Sequence, residues 1–96
     1  MQGTNLIAAK EDAGAGPWDS ANTMCNSSTL AGFSNWRLPT KSELLTLYNN
    51  KYFIGGFKDA YYWSSTEDDG AYYVDFSNGN VALGYQSFSA FVRCVR

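Results

Sequence analysis

The chain has 96 residues, seven Lys and Arg against nine Asp and Glu, a formal charge of -2, and no histidine. That length carries one domain. The acidic balance excludes the basic face that nucleic acid or anionic lipid would need, and the missing histidine excludes Ser-His-Asp and Cys-His nucleophile systems and every His-ligated metal site.

In chain order, Leu6, Ile7, Ala8 and Ala9 make a short apolar run that predicts an edge strand, followed by a charged, glycine-rich loop to Gly16. Pro17 suits the first turn of a helix. Trp18, Ala21 and Cys25 recur at i, i+3 and i+7, which predicts an amphipathic helix over residues 17–28, with Gly32 as a stop signal. Thr40-Lys41-Ser42-Glu43 reads as a capping box, in which the Thr40 hydroxyl accepts from the Glu43 N–H and the Glu43 carboxylate accepts from the Thr40 N–H. Leu44, Leu45, Leu47 and Tyr48 give the helix behind it an apolar stripe. From residue 60 the period changes to two. Residues 61–66 read as a strand, Glu67-Asp68-Asp69-Gly70 as a turn, and Tyr72, Val74 and Phe76 as one face of a second strand. Asn78-Gly79 predicts a two-residue type I′ hairpin that sets Phe76 opposite Val81, Val74 opposite Leu83 and Tyr72 opposite Tyr85. Residues 91–96 predict the last strand. A strand, two helices and an antiparallel meander make an α+β domain with the helices on one face of the sheet.

Nothing approaches the ~20 apolar residues of a membrane span. No catalytic constellation is visible, so the expectation is a domain that is not an enzyme and needs no cofactor. Cys25 and Cys94 are too far apart for a CxxC redox or metal motif. They are either bridged or two buried free thiols. A bridge is the expectation, because a small domain gains from a covalent tie, and it implies an oxidising compartment. The first residues carry no basic or long apolar stretch of a signal peptide. The chain reads as one domain over residues 1–96 of a larger exported protein whose signal lies elsewhere. Glu67, Asp68, Asp69 and Asp75 are carboxylates of the type that holds Ca²⁺; the simpler reading is a solvated turn that blunts a sheet edge. Four aromatic residues lie in residues 1–48 and twelve follow. Trp63, Tyr72 and Phe76 fall at inward positions. Tyr62 and Tyr73 fall at outward positions, where phenol rings either stack on sugars or anchor a protein partner, or simply belong to an ordinary sheet surface. Arg37 is placed either to meet an anionic ligand or to pair with a carboxylate and fix the entry to the second helix.

Three segments together carry a family resemblance: Trp36-Arg37-Leu38-Pro39-Thr40 running into Lys41-Ser42-Glu43-Leu44, then Tyr62-Trp63-Ser64-Ser65-Thr66, and finally Phe91-Val92-Arg93-Cys94-Val95-Arg96. Their order and spacing resemble the C-terminal domain of the Legionella collagen-like adhesin, over roughly residues 5–96. More distantly, the Arg-Leu-Pro-Thr helix start is similar to formylglycine-generating-enzyme domains, so the resemblance implies a C-type-lectin-like fold. It also covers both segments that flank the cysteines, which supports the Cys25–Cys94 bridge. Members of the family are mostly exported bacterial proteins, and the resemblance implies an adhesion or recognition module on the cell surface, with a glycan or a cell-surface protein as partner. A structural or spacer module in a larger surface protein is the alternative. The adhesin itself binds sulfated glycosaminoglycans, which calls for clustered Lys and Arg; here Lys10, Lys41, Lys51 and Lys58 are scattered on an acidic chain. The Glu-Pro-Asn, Gln-Pro-Asp and Trp-Asn-Asp triplets of calcium-dependent lectins are absent, as are the paired active-site cysteines of the formylglycine enzymes.

Overall fold

The computed structural model describes residues 6–96. Five strands, β1 (Gly14–Gly16), β2 (Tyr61–Glu67), β3 (Ala71–Asp75), β4 (Val81–Gly84) and β5 (Ala90–Val92), form one sheet in the order β1-β5-β2-β3-β4. Every pairing is antiparallel except β2 with β5, which run parallel where Tyr62 faces Phe91. Three helices, α1 (Trp18–Asn26), α2 (Lys41–Asn49) and α3 (Lys51–Ile54), and a 3-10 turn at Leu30–Gly32 complete an α+β domain.

The capping box forms in full. The Glu43 amide donates to Thr40 Oγ1 at 3.2 Å, and the Thr40 amide donates to Glu43 Oε1 at 2.8 Å. Helix α1 follows Pro17 as expected but stops at Asn26, without a side-chain cap. Its buried stripe is Ala21 and Cys25. Gly32 ends the 3-10 turn instead, at φ 82°.

The core divides into two clusters. Ala21 and Cys25 pack with Trp36, Leu38, Trp63, Ala71, Ala90 and Val92. Leu44 and Leu47 pack with Tyr62, Val74, Phe76 and Val95. Adjacent strand residues point to opposite faces, so Tyr62 beneath α2 and Trp63 beside α1 place the two helices on opposite faces of the sheet. This corrects the expectation of one covered face. It also explains why consecutive strand residues are buried: a sheet covered on both sides reads as a near-continuous apolar run. The three indole N–H groups are each satisfied by a carbonyl, Trp63 by Gly16 at 2.8 Å, Trp18 by Ser64 at 2.8 Å and Trp36 by Leu30 at 2.9 Å. Burial of Leu44 and Leu47 contributes about 2 kcal/mol each.

The hairpin register is also corrected. Val74 faces Val81 and Tyr72 faces Leu83, two positions from the expected partners. A type I′ turn needs positive φ at both central residues, and only Gly79 has it, at 82°. The strand ends earlier because the Asp75 carboxylate accepts from the Ser77 amide at 2.9 Å and the Ser77 hydroxyl at 2.6 Å, while the Asp75 carbonyl accepts from the Gly79 amide at 2.7 Å. Asp75 then pairs with Asn80 across residues 76–79. A shift of two keeps every side chain on its expected face, and Phe76 is buried.

Residues 7–9 and 94–96 lie together. The expected first strand is reduced to a bridge from Ala8 to Val95, flanked by Ile7 N–H to Arg96 O at 2.7 Å and Ala9 N–H to Cys94 O at 2.9 Å. The expected last strand is interrupted at Arg93, and Val95 also bridges to Arg37. The Cys25–Cys94 disulfide is present, with Cα atoms 5.5 Å apart, and ties α1 to this terminal segment.

Candidate recognition surface

Tyr62 lies where its expected role does not hold. It is fully buried, and its hydroxyl donates to Asp12 at 2.9 Å and accepts from the Lys58 amide at 2.9 Å. Burial, first of all, pushes its phenol up to about 12, so it stays a neutral donor. Asp12 also pairs with Arg93, whose Nε donates to Asp12 Oδ1 at 3.0 Å. Arg93 Nη1 donates to the carbonyls of Ala9 and Gly55, at 3.1 and 3.0 Å. Its Nη2 stands 2.9 Å from Asp12 Oδ1, an ion contact without hydrogen-bond alignment. The guanidinium lies 3.9 Å from the Phe57 ring centre. Arg93 is a fully buried cation, tolerated because its charge is paired with Asp12 and its Nε and Nη1 donors are bonded.

Arg37 is engaged with Glu43 through two bonds of 2.7 and 2.8 Å. That side-chain bond is the largest cause holding the Glu43 carboxyl down at about 2. It is also what raises Arg37. Arg37 thus fixes the entry to α2. Glu67 accepts from Gln86 Nε2 at 3.0 Å, and Asp75 is spent in its own turn, where the Ser77 bonds lower its pKa. Among the described residues no three His, Cys, Asp or Glu side chains converge on a metal position.

Tyr73 does reach a surface, and it is not alone there. Trp63 faces Tyr73 across β2 and β3, and Tyr61 lies two residues before Trp63, so all three rings project from the α1 face. The α1 helix covers Trp63 and leaves Tyr61 beyond it. Phe88 folds onto the same place from the loop after β4, held by its own amide donating to Tyr85 O at 2.9 Å. The Tyr73 and Phe88 rings stack at 5.8 Å and 18°, Tyr61 sits 4.8 Å from Tyr73, and Tyr61 and Phe88 are 6.0 Å apart. Trp63 supports Tyr73 edge-on at 6.1 Å. Gly84 makes room for the platform, since a Cβ there would stand 2.9 Å from Tyr73 Cε2. Tyr61 is 39% and Phe88 42% exposed, and among the described residues neither tyrosine hydroxyl of the platform is bonded within the chain. A shallow groove of about 240 Å³, lined by Ala15, Ala60, Tyr61, Ser89 and Phe91, runs beside it.

The loop that carries Phe88 is pinned at Gln86. The Trp18 amide donates to Gln86 O at 2.9 Å, and Gln86 Nε2 donates to Glu67 at the end of β2. Chemically the platform offers flat apolar faces with free phenol hydroxyls, suited to stacking rather than to bond making. Tyr61 and Phe88 were not legible as its members. An expectation of helices on one face gives Tyr62 the outward position that Tyr61 occupies. The sequence model of the Lcl C-terminal domain family matches residues 2–96. No curated protein matches the chain.

Proposed function

This chain belongs to the Lcl C-terminal domain family, and on that premise we propose that it is a non-catalytic recognition module that binds uncharged glycans at the Tyr61–Tyr73–Phe88 platform. The family name points to a domain of a collagen-like adhesin-type protein, and the Cys25–Cys94 disulfide is consistent with an extracellular location. We read the fold as C-type-lectin-like and the parent protein as exported and surface-exposed. The observation that carries the reading is the platform itself: Tyr73 and Phe88 stacked at 18°, with Tyr61 tilted against both at 45° and 37°, and Tyr61 and Phe88 partly exposed. A sugar ring has an apolar face of C–H groups that such rings cover, while the free phenols bond its hydroxyls. The chain's net negative charge disfavours sulfated or carboxylated sugars.

A glycan array probed with the isolated domain and with a Tyr61→Ala/Phe88→Ala variant tests this. Neutral glycans should be retained by the parent chain and bound about tenfold more weakly by the variant, about 1.4 kcal/mol, with little change in the melting midpoint. Retention of no glycan, or equal retention by both proteins, would defeat the reading and favour the spacer alternative.

A further inference from the structure

A second concavity, away from the platform, is lined by Ile7, Leu30, Ala31, Phe33, Trp36 and Arg96 and has a volume of about 320 Å³. That is within the range of small-ligand sites, roughly 300–1,000 Å³. Its walls are apolar side chains the fold leaves uncovered: Ile7 is 49%, Leu30 38% and Phe33 44% exposed. Trp36 forms the buried floor.

The cleft is built rather than collapsed. The Trp36 indole donates to Leu30 O at 2.9 Å, which fixes the floor against the wall. Leu30 is turned inward by a 3-10 turn in which Ala31 adopts φ 56°, a left-handed conformation unfavourable for a residue with a Cβ. Ile7 is held opposite by its paired backbone bonds to Arg96, 2.7 and 2.9 Å long.

One charged group stands at its edge. The Arg96 guanidinium lies 3.5 Å over the Phe33 ring, and its Nε donates to Asn35 Oδ1 at 2.8 Å. Among the described residues its two Nη nitrogens have no acceptor, although both donate in the plane that suits a carboxylate. Lys10 also lines the cleft without an ion-pair partner among the described residues, and Glu11 is the one acidic side chain in the lining. The side chains there thus sum to one positive charge on a chain of formal charge -2.

We propose that this cleft binds a small amphipathic carboxylate: an aromatic or branched aliphatic body of about ten non-hydrogen atoms resting on Phe33 and Trp36, with its carboxylate on the Nη nitrogens of Arg96. The proposal is independent of the platform, with which the cleft shares no residue.

The test is a two-dimensional amide NMR titration of the whole chain with phenylbutyrate, with phenylbutanol as the uncharged match and an acetylated dipeptide ending in phenylalanine as the same chemistry at a peptide end. Saturable shifts are expected at the Trp36 indole and at Leu30 and Phe33, with Kd about 1 mM for one of the acids, and whichever acid binds more tightly identifies the source. The alcohol should bind about tenfold more weakly, and Arg96→Gln should weaken the acid by the same factor. The Trp18 indole, half-buried and bonded to Ser64 O, and the buried Trp63 indole should stay still. No saturable shift, shifts at Trp18 or Trp63 instead, or equal binding of acid and alcohol would each overturn the proposal.

Discussion

The disulfide lends itself to a direct energetic test. Cys25 and Cys94 are separated by 69 positions, so the bridge closes most of the chain into one loop. Chain-entropy arithmetic for a loop of that size gives about 4 kcal/mol of stabilisation, acting through the unfolded ensemble. Small domains have a total stability of roughly 5–15 kcal/mol, so the bridge is a large share of it. The perturbation is Cys25→Ala/Cys94→Ala, which removes the tie and adds no polar atom at two buried positions. Equilibrium urea unfolding should show a loss of about 4 kcal/mol, and the melting midpoint should fall by roughly 15–30 °C. The urea slope should rise as well, because an unbridged unfolded chain exposes more surface. A loss under about 1 kcal/mol with an unchanged slope would refute the reasoning, since it would mean that the unfolded chain is not constrained by the bridge.

Three further outcomes are expected. Glu43 is depressed from 4.5 to about 2, chiefly by its Arg37 bond; a depressed carboxylate contributes stability above its unfolded pKa that is lost as pH falls through the folded one. Arg37 is 46% exposed, so solvent screening reduces the effect to about 1 kcal/mol: Glu43→Gln should have a lower urea midpoint than the parent at pH about 6 and converge with it at pH about 2. Asp12→Asn leaves the buried Arg93 without its counter-charge and should cost about 3 kcal/mol or more in urea unfolding, an unchanged midpoint counting against the paired-cation account. Gly70→Ala would set a Cβ 2.5 Å from the Gly84 carbonyl oxygen at φ 153°; a loss of about 2 kcal/mol or more is expected on thermal melting, and a wild-type midpoint would refute a close approach of Gly70 to Gly84.

What the sequence made legible was local. The capping box needs only residues three apart, and Thr40 and Glu43 satisfied each other as their spacing implied. The spacing of Trp18, Ala21 and Cys25 put all three on one side of α1 for the same reason, Ala21 and Cys25 buried and Trp18 half-buried. What escaped depended on partners distant in the chain. Tyr62 and Trp63 alternate as any strand does, and nothing within their own segment tells that both faces will be covered. The Asn78-Gly79 pair favours a tight turn, but the competing bonds of Asp75 to Ser77 end the strand first. Arg93 carries the residue type most expected at a surface; its burial depends on Asp12, eighty-one positions away. The platform failed to appear for the same reason: Phe88 joins it only through a loop whose position is set by Trp18 and Glu67.

The pairing of residues 7–9 with residues 94–96 has a mechanical consequence. Ile7 and Arg96 are bonded to each other in antiparallel fashion, so tension applied at the two ends opens their bonds one after another, as a zipper, rather than loading them together in shear. Peeling from the front can release about twenty residues, roughly 70 Å of extended chain, before it reaches Cys25. There the load passes through the sulfur bridge to Cys94 and leaves the molecule by its last residues. Everything between the two cysteines lies off the load path, including Tyr61, Tyr73 and Phe88. A pulled molecule therefore lengthens at its N-terminal segment first, while the polypeptide that builds the aromatic platform carries no direct tension.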